Sequence, residues 1–278
     1  MKWKQKWIRT VAAAGVTLMM LGSVSQAQGI DGLIDQALAG DHRSAANKAR
    51  DQYRHPKETL LFFGLKPGMA VVEVWPSAGW WTEILAPVLK NKGKYYAAWY
   101  ATQSKGTPEV LKEREKSFDA MLAGKPGLYG EVVKTALMAP DHVDIAPKES
   151  ADMVLTFRNA HNWAKAGNAE AMFKVFYDVL KPGGILGVKD HRAKPGTSFQ
   201  RQIDSGYMAE EYVIETAEKV GFKLVAKSEI NANPKDHADY PGGVWTLPPN
   251  LRNVAEADKP KFLAIGESDR MTLKFVKP

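Results

Sequence analysis

A dense polar run, Arg158-Asn159-Ala160-His161-Asn162-Trp163, directly follows the apolar segment 152–157. It offers a guanidinium, two amides, an imidazole that titrates near neutral pH and an aromatic face. A second polar group, Asp190-His191-Arg192, follows the apolar segment 185–189. The first run is either part of a ligand site or a hydrogen-bonded loop that fixes the next helix. His191 has the chemistry of a base, a hydrogen-bond donor, a metal ligand or a structural histidine.

Several other kinds of chemistry find little support in the sequence. His161, His191 and Asp190 are metal-ligand types, but their spacing matches no compact metal motif, so we predict no metal site. There is no Cys and no G-x-S-x-G motif to supply a nucleophile for covalent hydrolysis. The chain also lacks the G-x-x-x-x-G-K-[ST] loop of phosphoryl transfer. A metal-assisted hydrolase that uses the two histidines and Asp190 is therefore a third-ranked interpretation.

The segment 69–89 has the pattern of a strand, a turn of small residues and a helix. This arrangement presents backbone N–H groups to nucleotide-like ligands in many α/β proteins. Glu73 places a carboxylate beside the turn, and Trp75 stands where such loops usually carry their first glycine. An ordinary strand-to-helix turn is the competing interpretation. No acidic residue occurs between Lys90 and Pro108, which argues against the usual recognition of ribose hydroxyls.

The hydrophobic pattern predicts the helices and strands that would position these residues. The segment 30–64 has helical spacing, and later helices are predicted at 80–89, 108–123, 168–180 and 209–220. Seven strands are predicted, at 71–74, 94–99, 131–137, 152–157, 185–189, 222–230 and 271–276. This alternation predicts a doubly wound α/β fold with a mostly parallel, seven-stranded sheet and N-terminal helices. The long segment 231–260 is expected to be a binding element or a lid rather than a disordered loop.

The first 27 residues have the pattern of a secretory signal peptide. A basic stretch precedes an apolar run at 11–21, and Ser25-Gln26-Ala27 provides a cleavage site. A retained anchor is the alternative, but the run is short for a membrane span of roughly 20 residues. We expect residues 28–278 to form a single periplasmic or secreted domain without a stable membrane anchor. Cysteine is absent, so no disulfide would stabilise it.

The charge of the chain also narrows the possible partners. The formal net charge is +7, and residues 1–27 carry four of the positive charges and no negative one, which leaves about +3. A net charge of about +3 does not indicate binding to nucleic acid or to an anionic membrane. We expect a small-molecule substrate.

The chain resembles class I S-adenosylmethionine-dependent methyltransferases and, more narrowly, a group of exported bacterial proteins described as predicted methyltransferases. The residues that carry this resemblance are spread over nearly the whole mature chain. The Leu180-Lys181-Pro182-Gly183-Gly184 turn is common in methyltransferases, whereas Phe157-Arg158-Asn159 and Trp245-Thr246-Leu247-Pro248-Pro249 are more specific. The general family has an acidic residue followed by Gly-x-Gly-x-Gly. Here Glu73 keeps the acid and Gly79 the last glycine, while Trp75 and Ser77 occupy the first two glycine positions.

The resemblance implies methyl transfer from S-adenosylmethionine to a small or medium nucleophile. The cofactor-binding residues it implies are Glu73, Trp75, Ser77, Gly79, Arg158 and Asn159. His161 is the first choice for a base and His191 the second, with Asn162 beside them as a further catalytic candidate. The alternative is a non-catalytic periplasmic ligand-binding protein that keeps a methyltransferase scaffold.

Overall fold

The structure, a computed structural model, describes residues 29–103 and 106–278. The proposed signal peptide, residues 1–27, lies outside the described residues. The strands are β1 Ala70–Val74, β2 Lys94–Tyr100, β3 Val132–Leu137, β4 Ala151–Phe157, β5 Leu180–His191, β6 Lys223–Lys227 and β7 Arg270–Val276. The helices are α1 Ile30–Ala39, α2 Ala45–Lys48, α3 Asp51–Arg54, α4 Pro56–Phe63, α5 Thr82–Leu89, α6 Glu109–Gly124, α7 Pro126–Tyr129, α8 Ala160–Ala166, α9 Ala169–Val179, α10 Phe199–Ser205, α11 Glu210–Val220 and α12 Lys259–Ile265.

The strands form one sheet in the order β3-β2-β1-β4-β5-β7-β6. Neighbouring strands from β3 to β5 are parallel, and β7 runs antiparallel between β5 and β6. This confirms the predicted doubly wound, mostly parallel, seven-stranded sheet with N-terminal helices. The strand order reverses between β1 and β4, and in such sheets ligands bind outside the carboxyl ends of the strands at that point.

The central strands are apolar because both faces of the sheet are covered. Met153 and Leu155 of β4 pack into a core with Ile84 and Leu85 of α5 on one face of the sheet. Val154 packs into a second core on the other face, with side chains from α8, α9 and α11. Burial on both faces explains why these strands appear in the sequence as continuous apolar runs rather than as an alternating pattern.

The structure differs from the predicted elements in several places. The helical segment 30–64 consists of four helices, and α8 occupies residues that were predicted as a loop after β4. β6 ends at Lys227 rather than at residue 230. β5 includes the predicted turn at 181–184 because the backbone of Gly183 and Gly184 pairs with Lys277 at 2.7 and 2.9 Å, beyond the end of β7.

In residues 29–103 and 106–278, no helix combines the length and the apolar character needed to cross a membrane.

Candidate functional site

A cleft of about 580 Å³ lies at the carboxyl ends of β1 and β4, where the strand order reverses. Both sequence-predicted loops contribute to its wall, together with Arg50 and Arg54 from the N-terminal helices and a part of the long C-terminal segment. Seven of the predicted site residues line it, namely Glu73, Trp75, Ser77, Arg158, Asn159, His161 and Asn162. The cleft therefore brings the two loops together as the topology requires.

A second cavity of about 400 Å³ adjoins the cleft on the side of β2 and β3. Four aromatic residues line it, namely Trp75, Trp99, Tyr100 and Trp163. Five residues line both cavities, namely Trp75, Ser77, Arg114, Asn159 and Asn162. Because aromatic faces stack well on planar rings, this cavity suits a flat, mostly apolar part of a ligand.

The loop after β1 has an unusual backbone. Trp75, Ser77 and Gly79 all have positive φ angles, of 48°, 54° and 78°. Left-handed backbone favours glycine and is strained for a bulky residue such as Trp. The loop therefore keeps, at all three alternate positions, the backbone conformation that glycines would adopt, although only one of them is glycine.

The indole of Trp75 is held in place by its surroundings. Its ring centroid lies 4.9 Å from that of Tyr100 and 5.7 Å from that of Trp163. Its Nε1 donates a hydrogen bond of 3.1 Å to the carbonyl oxygen of Leu137, at the end of β3. These contacts hold a strained residue in one orientation, as a wall that the two cavities share.

Gly79 lies next to the cleft but does not line either cavity. A Cβ atom at this position would lie 2.6 Å from Cε of Met121 and 3.3 Å from Phe118. The φ angle therefore favours glycine here, whereas the contact with the flexible end of Met121 could be relieved by movement of that side chain.

The Glu73 carboxylate is only 1% exposed, at the floor of the cleft. It accepts hydrogen bonds from Thr82 at 3.0 Å and from the hydroxyl of Tyr95. Burial raises the pKa of Glu73 from 4.5 to about 7, and the two hydrogen bonds only partly offset that effect. Near neutral pH the Glu73 carboxyl group, at the floor of the cleft, is therefore only partly ionised.

His161 is oriented by Asp190. Its Nδ1 lies 3.1 Å from Oδ1 of Asp190, and Oδ2 of the same carboxylate accepts the backbone N–H of His161 at 3.2 Å. A carboxylate only accepts hydrogen bonds, so Nδ1 carries the proton and the lone pair of the neutral ring is on Nε2. Among the described residues Nε2 has no hydrogen-bond partner. His161 can therefore act as a base toward a ligand in the cleft.

His191 lies behind His161 and does not line the cleft. The two imidazole centroids are 5.5 Å apart, and Nδ1 of His191 forms a hydrogen bond with the hydroxyl of Ser268. Burial, followed by the nearby His161 and Arg270, holds the pKa of His191 well below its ordinary value. The ring is thus neutral and supports His161 rather than reaching a ligand.

His161, Asp190 and His191 also form a cluster whose potential ligand atoms lie within 4.8 Å of one another. The carboxylate of Asp190 already accepts hydrogen bonds from the ring and backbone of His161 and from the backbone of His191. These bonds give the cluster a role in orienting the base.

The two asparagines differ in their surroundings. Nδ2 of Asn159 donates to the carbonyl oxygen of Val74 at 3.0 Å and to Thr156 Oγ1 at 3.2 Å, and so it ties the loop after β4 to the end of β1. Asn162 is exposed, and its side chain borders both cavities. Asn162 is the more available of the two for a ligand.

The end of β2 has an acidic neighbour that the sequence pattern did not indicate. Glu115 of α6 accepts a hydrogen bond from Thr102, and its carboxylate lies 2.8 Å from Nζ of Lys134. It does not line either of the two cavities. Arg114, the residue before it, lines both.

Most of the arginines that line the cleft were not predicted from the sequence. Five line it, namely Arg50, Arg54, Arg114, Arg158 and Arg252, and only Arg158 was predicted. A partial signal existed, because Arg50 and Arg54 are four residues apart and share one face of a helix. Nothing in the sequence pattern placed that face against the carboxyl ends of the strands.

The arginines at the N-terminal side are anchored by one buried carboxylate. Glu267 lies 2.6 Å from Nε of Arg50 and 3.0 Å from Nε of Arg54, and it also accepts a hydrogen bond from Arg270. Burial alone would raise its pKa, but the attraction of Arg270, Arg54 and Arg50 holds that pKa well below the ordinary value. Glu267 is thus ionised and shared by three cations.

The long C-terminal segment reaches the cleft. Trp245, Pro249, Asn250 and Arg252 line it, and the Trp245 ring lies 6.2 Å from that of His161 in an edge-on arrangement. The segment also has its own small apolar core with Tyr207 and Leu247. The expected binding element is therefore an ordered part of the cleft wall.

Comparisons with known proteins give a fold. No family model and no curated protein matches the chain. A solved SAM-dependent methyltransferase from Aquifex aeolicus is similar, with a TM-score of 0.54, 17% identity and coverage of 83% of this chain and 93% of that one. The [4+2]-cyclase SpnF is similar at a TM-score of 0.52 and 17% identity, covering 86% and 85% of the two chains.

At that identity the likeness concerns the fold alone. The chain has the Rossmann-like fold found in S-adenosylmethionine-dependent methyltransferases. One of the similar structures is a cyclase, so the fold does not by itself specify the reaction.

Proposed function

We propose that this protein transfers a methyl group from S-adenosylmethionine to a small or medium-sized nucleophile. The observation that carries the proposal is the backbone of the loop after β1. Trp75, Ser77 and Gly79 keep left-handed φ angles beside the acidic Glu73, in a cleft at the switch point of a methyltransferase-type sheet. Strain of this kind is maintained where function requires it.

The residues present fit the cofactor. The aromatic cavity, with Trp75, Tyr100 and Trp163, suits the adenine ring, and Ser77 and Asn159 lie where the two cavities meet. Arg158 is a candidate partner for the methionine carboxylate. When bound, the cofactor supplies an electrophilic methyl group.

The protein's own residues would act on the acceptor. Nε2 of His161, which Asp190 orients, would accept a proton from the acceptor. Asn162 would help to orient the acceptor. His191 would act through His161 as a positioning residue. Trp245 would exclude water on the side of the C-terminal segment.

Calorimetry tests this proposal directly. S-Adenosylmethionine and S-adenosylhomocysteine are titrated into the purified protein, with ATP as a control ligand that carries adenosine and phosphates. The proposal expects binding of both the sulfonium cofactor and its thioether product. No detectable heat and no thermal shift at millimolar ligand would refute it.

A non-catalytic ligand-binding protein on the same scaffold is the second candidate. It is favoured by the Trp75 indole, which lies between Tyr100 and Trp163 where a glycine loop would leave open space. The position of Glu115 also favours it. Nucleotide folds usually place an acidic residue near the end of β2 to bind the ribose hydroxyls, but the carboxylate of Glu115 does not line either cavity. Binding of ATP without binding of S-adenosylhomocysteine would support this second candidate.

We also propose that the chain belongs to the exported methyltransferase-like group that its motifs resemble. Residues 1–27 would then be removed during export, leaving 28–278 as one domain in the periplasm or outside the cell. The intact mass of protein recovered from a periplasmic fraction tests this, and a mass that retains the first 27 residues would contradict it.

A further inference from the structure

The charges of the cleft are strongly unbalanced. Five arginines line it, and Glu73 is the only acidic residue among the described residues that line it. The raised pKa of Glu73, caused mainly by burial, reduces even that negative charge near neutral pH. Unpaired charge at a partly buried wall is unfavourable unless a ligand or solvent compensates it.

The excess of positive charge continues behind the cleft wall, around Glu267. Glu267 is a single carboxylate shared by Arg50, Arg54 and Arg270. Nη2 of Arg50 and Nη2 of Arg54 are buried and have no hydrogen-bond partner among the described residues. Arg54 itself is only 3% exposed and lines the cleft. Buried donors of this kind are normally satisfied, so they indicate a missing acceptor.

Nearby arginines also lower the pKa values of Lys189 and Arg158. Burial is the main cause that holds the pKa of Lys189 well below its ordinary value, and repulsion from Arg270 and Arg54 adds to it. Burial likewise lowers the pKa of Arg158 to about 10, with repulsion from Arg270 contributing. Arg50, Arg54, Arg158 and Arg270 thus lie in one region of positive potential.

The proposed cofactor does not neutralise this region. S-Adenosylmethionine has one carboxylate, one ammonium and one sulfonium group, so its net charge is positive. Arg158 is already assigned to the carboxylate. Arg50 and Arg54, whose Nη2 atoms have no hydrogen-bond partner among the described residues, and Arg252, which also lines the cleft, are therefore left for a second ligand.

Resting on the proposed function, we propose that the methyl acceptor carries an oxyanion group, a carboxylate or a phosphate, held by Arg50, Arg54 and Arg252. Arginine forks bind such groups through paired, charge-assisted hydrogen bonds. Arg252 contributes from the C-terminal segment, where its guanidinium lies 5.2 Å from the ring centroid of Trp245. The acceptor is thus fixed at its anionic end, with its nucleophile directed toward His161.

The test uses inorganic phosphate and acetate as probes, titrated at low ionic strength into the full protein, both without S-adenosylhomocysteine and saturated with it. We expect at least one of them to bind. Arg252→Gln and Arg50→Gln should each weaken that binding at least about tenfold, since each removes a charge-assisted hydrogen bond. Lys165→Gln is the matched control, because it removes one positive charge from an exposed position of α8 that does not line the cleft.

Three results would overturn the proposal: neither probe binds, Lys165→Gln weakens binding as much as the arginine variants do, or S-adenosylhomocysteine competes with the probe. The last result would assign the arginines to the cofactor. Failure of the two proposals can be distinguished. If S-adenosylhomocysteine binds and the probes do not, the oxyanion site fails; if a probe binds arginine-dependently and S-adenosylhomocysteine does not, methyl transfer fails.

Discussion

The Glu267 carboxylate lies 3.0 Å from Nε of Arg54, although the two residues are 213 positions apart in the chain. Both side chains are almost fully buried, and the pair connects the helices before the sheet with the start of β7. Arg50 and Arg270 complete the cluster. The positions of Arg50 and Arg54 in the cleft therefore depend on one carboxylate.

Glu267→Gln should strongly destabilise the protein. The substitution leaves three arginines around a neutral amide, and breaking a buried ion pair in this way costs about 3–5 kcal/mol. Urea unfolding, followed by circular dichroism, measures the loss. Glu256→Gln is the matched control, because Glu256 is exposed and, within residues 29–103 and 106–278, pairs with Lys259 alone, so its removal should cost less than about 1 kcal/mol. Equal costs for the two variants would contradict the role of Glu267.

The raised pKa of Glu73 predicts a pH-dependent stability. Between pH 4.5 and about 7 the folded protein binds more protons than the unfolded chain, so the free energy of unfolding falls as the pH rises. The loss is on the order of 3 kcal/mol. Glu73→Gln lacks this titration, so the variant should gain stability relative to the wild type between pH 5 and pH 8. Urea titrations at both pH values measure the difference, and parallel changes in the two proteins would rule the idea out.

Asp190 should fix the tautomer of His161. In the wild type, ¹⁵N NMR should show a protonated Nδ1 and an unprotonated Nε2 in the neutral ring, because the carboxylate accepts from Nδ1. In Asp190→Asn we expect a mixture of tautomers. Ser268→Ala is the control, since Ser268 contacts His191 and should leave the His161 signals unchanged. A His161 spectrum that is insensitive to Asp190→Asn would count against this orientation.

Trp75 should strengthen cofactor binding. Its indole forms a wall of both cavities, and the loss of a stacking ring typically costs about 1–3 kcal/mol in related aromatic–base contacts. We therefore expect Trp75→Gly to bind S-adenosylhomocysteine roughly tenfold more weakly. Trp75→Phe keeps an aromatic face and should bind nearly as well as the wild type. Tighter binding by Trp75→Gly would mean that the indole obstructs the cavity.

The sheet was predictable because its strands are buried on both faces and therefore appear as apolar runs. The loops after β1 and β4 could be placed in one cleft because carboxyl ends of parallel strands share an edge. α8 was missed because the polar residues of its first turn resemble a loop. Arg50, Arg54 and Arg252 were missed because their positions depend on distant contacts, such as Glu267 and Trp245, that local pattern does not encode.

The Glu267 cluster also has a consequence for synthesis. Residues 50–54 leave the ribosome long before residues 267–270, so Arg50 and Arg54 lack their carboxylate partner, Glu267, until nearly the whole chain has been made. Until then, the charges of Arg50 and Arg54 are best kept hydrated. A nascent chain can therefore form the Glu267 cluster, and with it this side of the cleft, only after residues 267–270 have been synthesised.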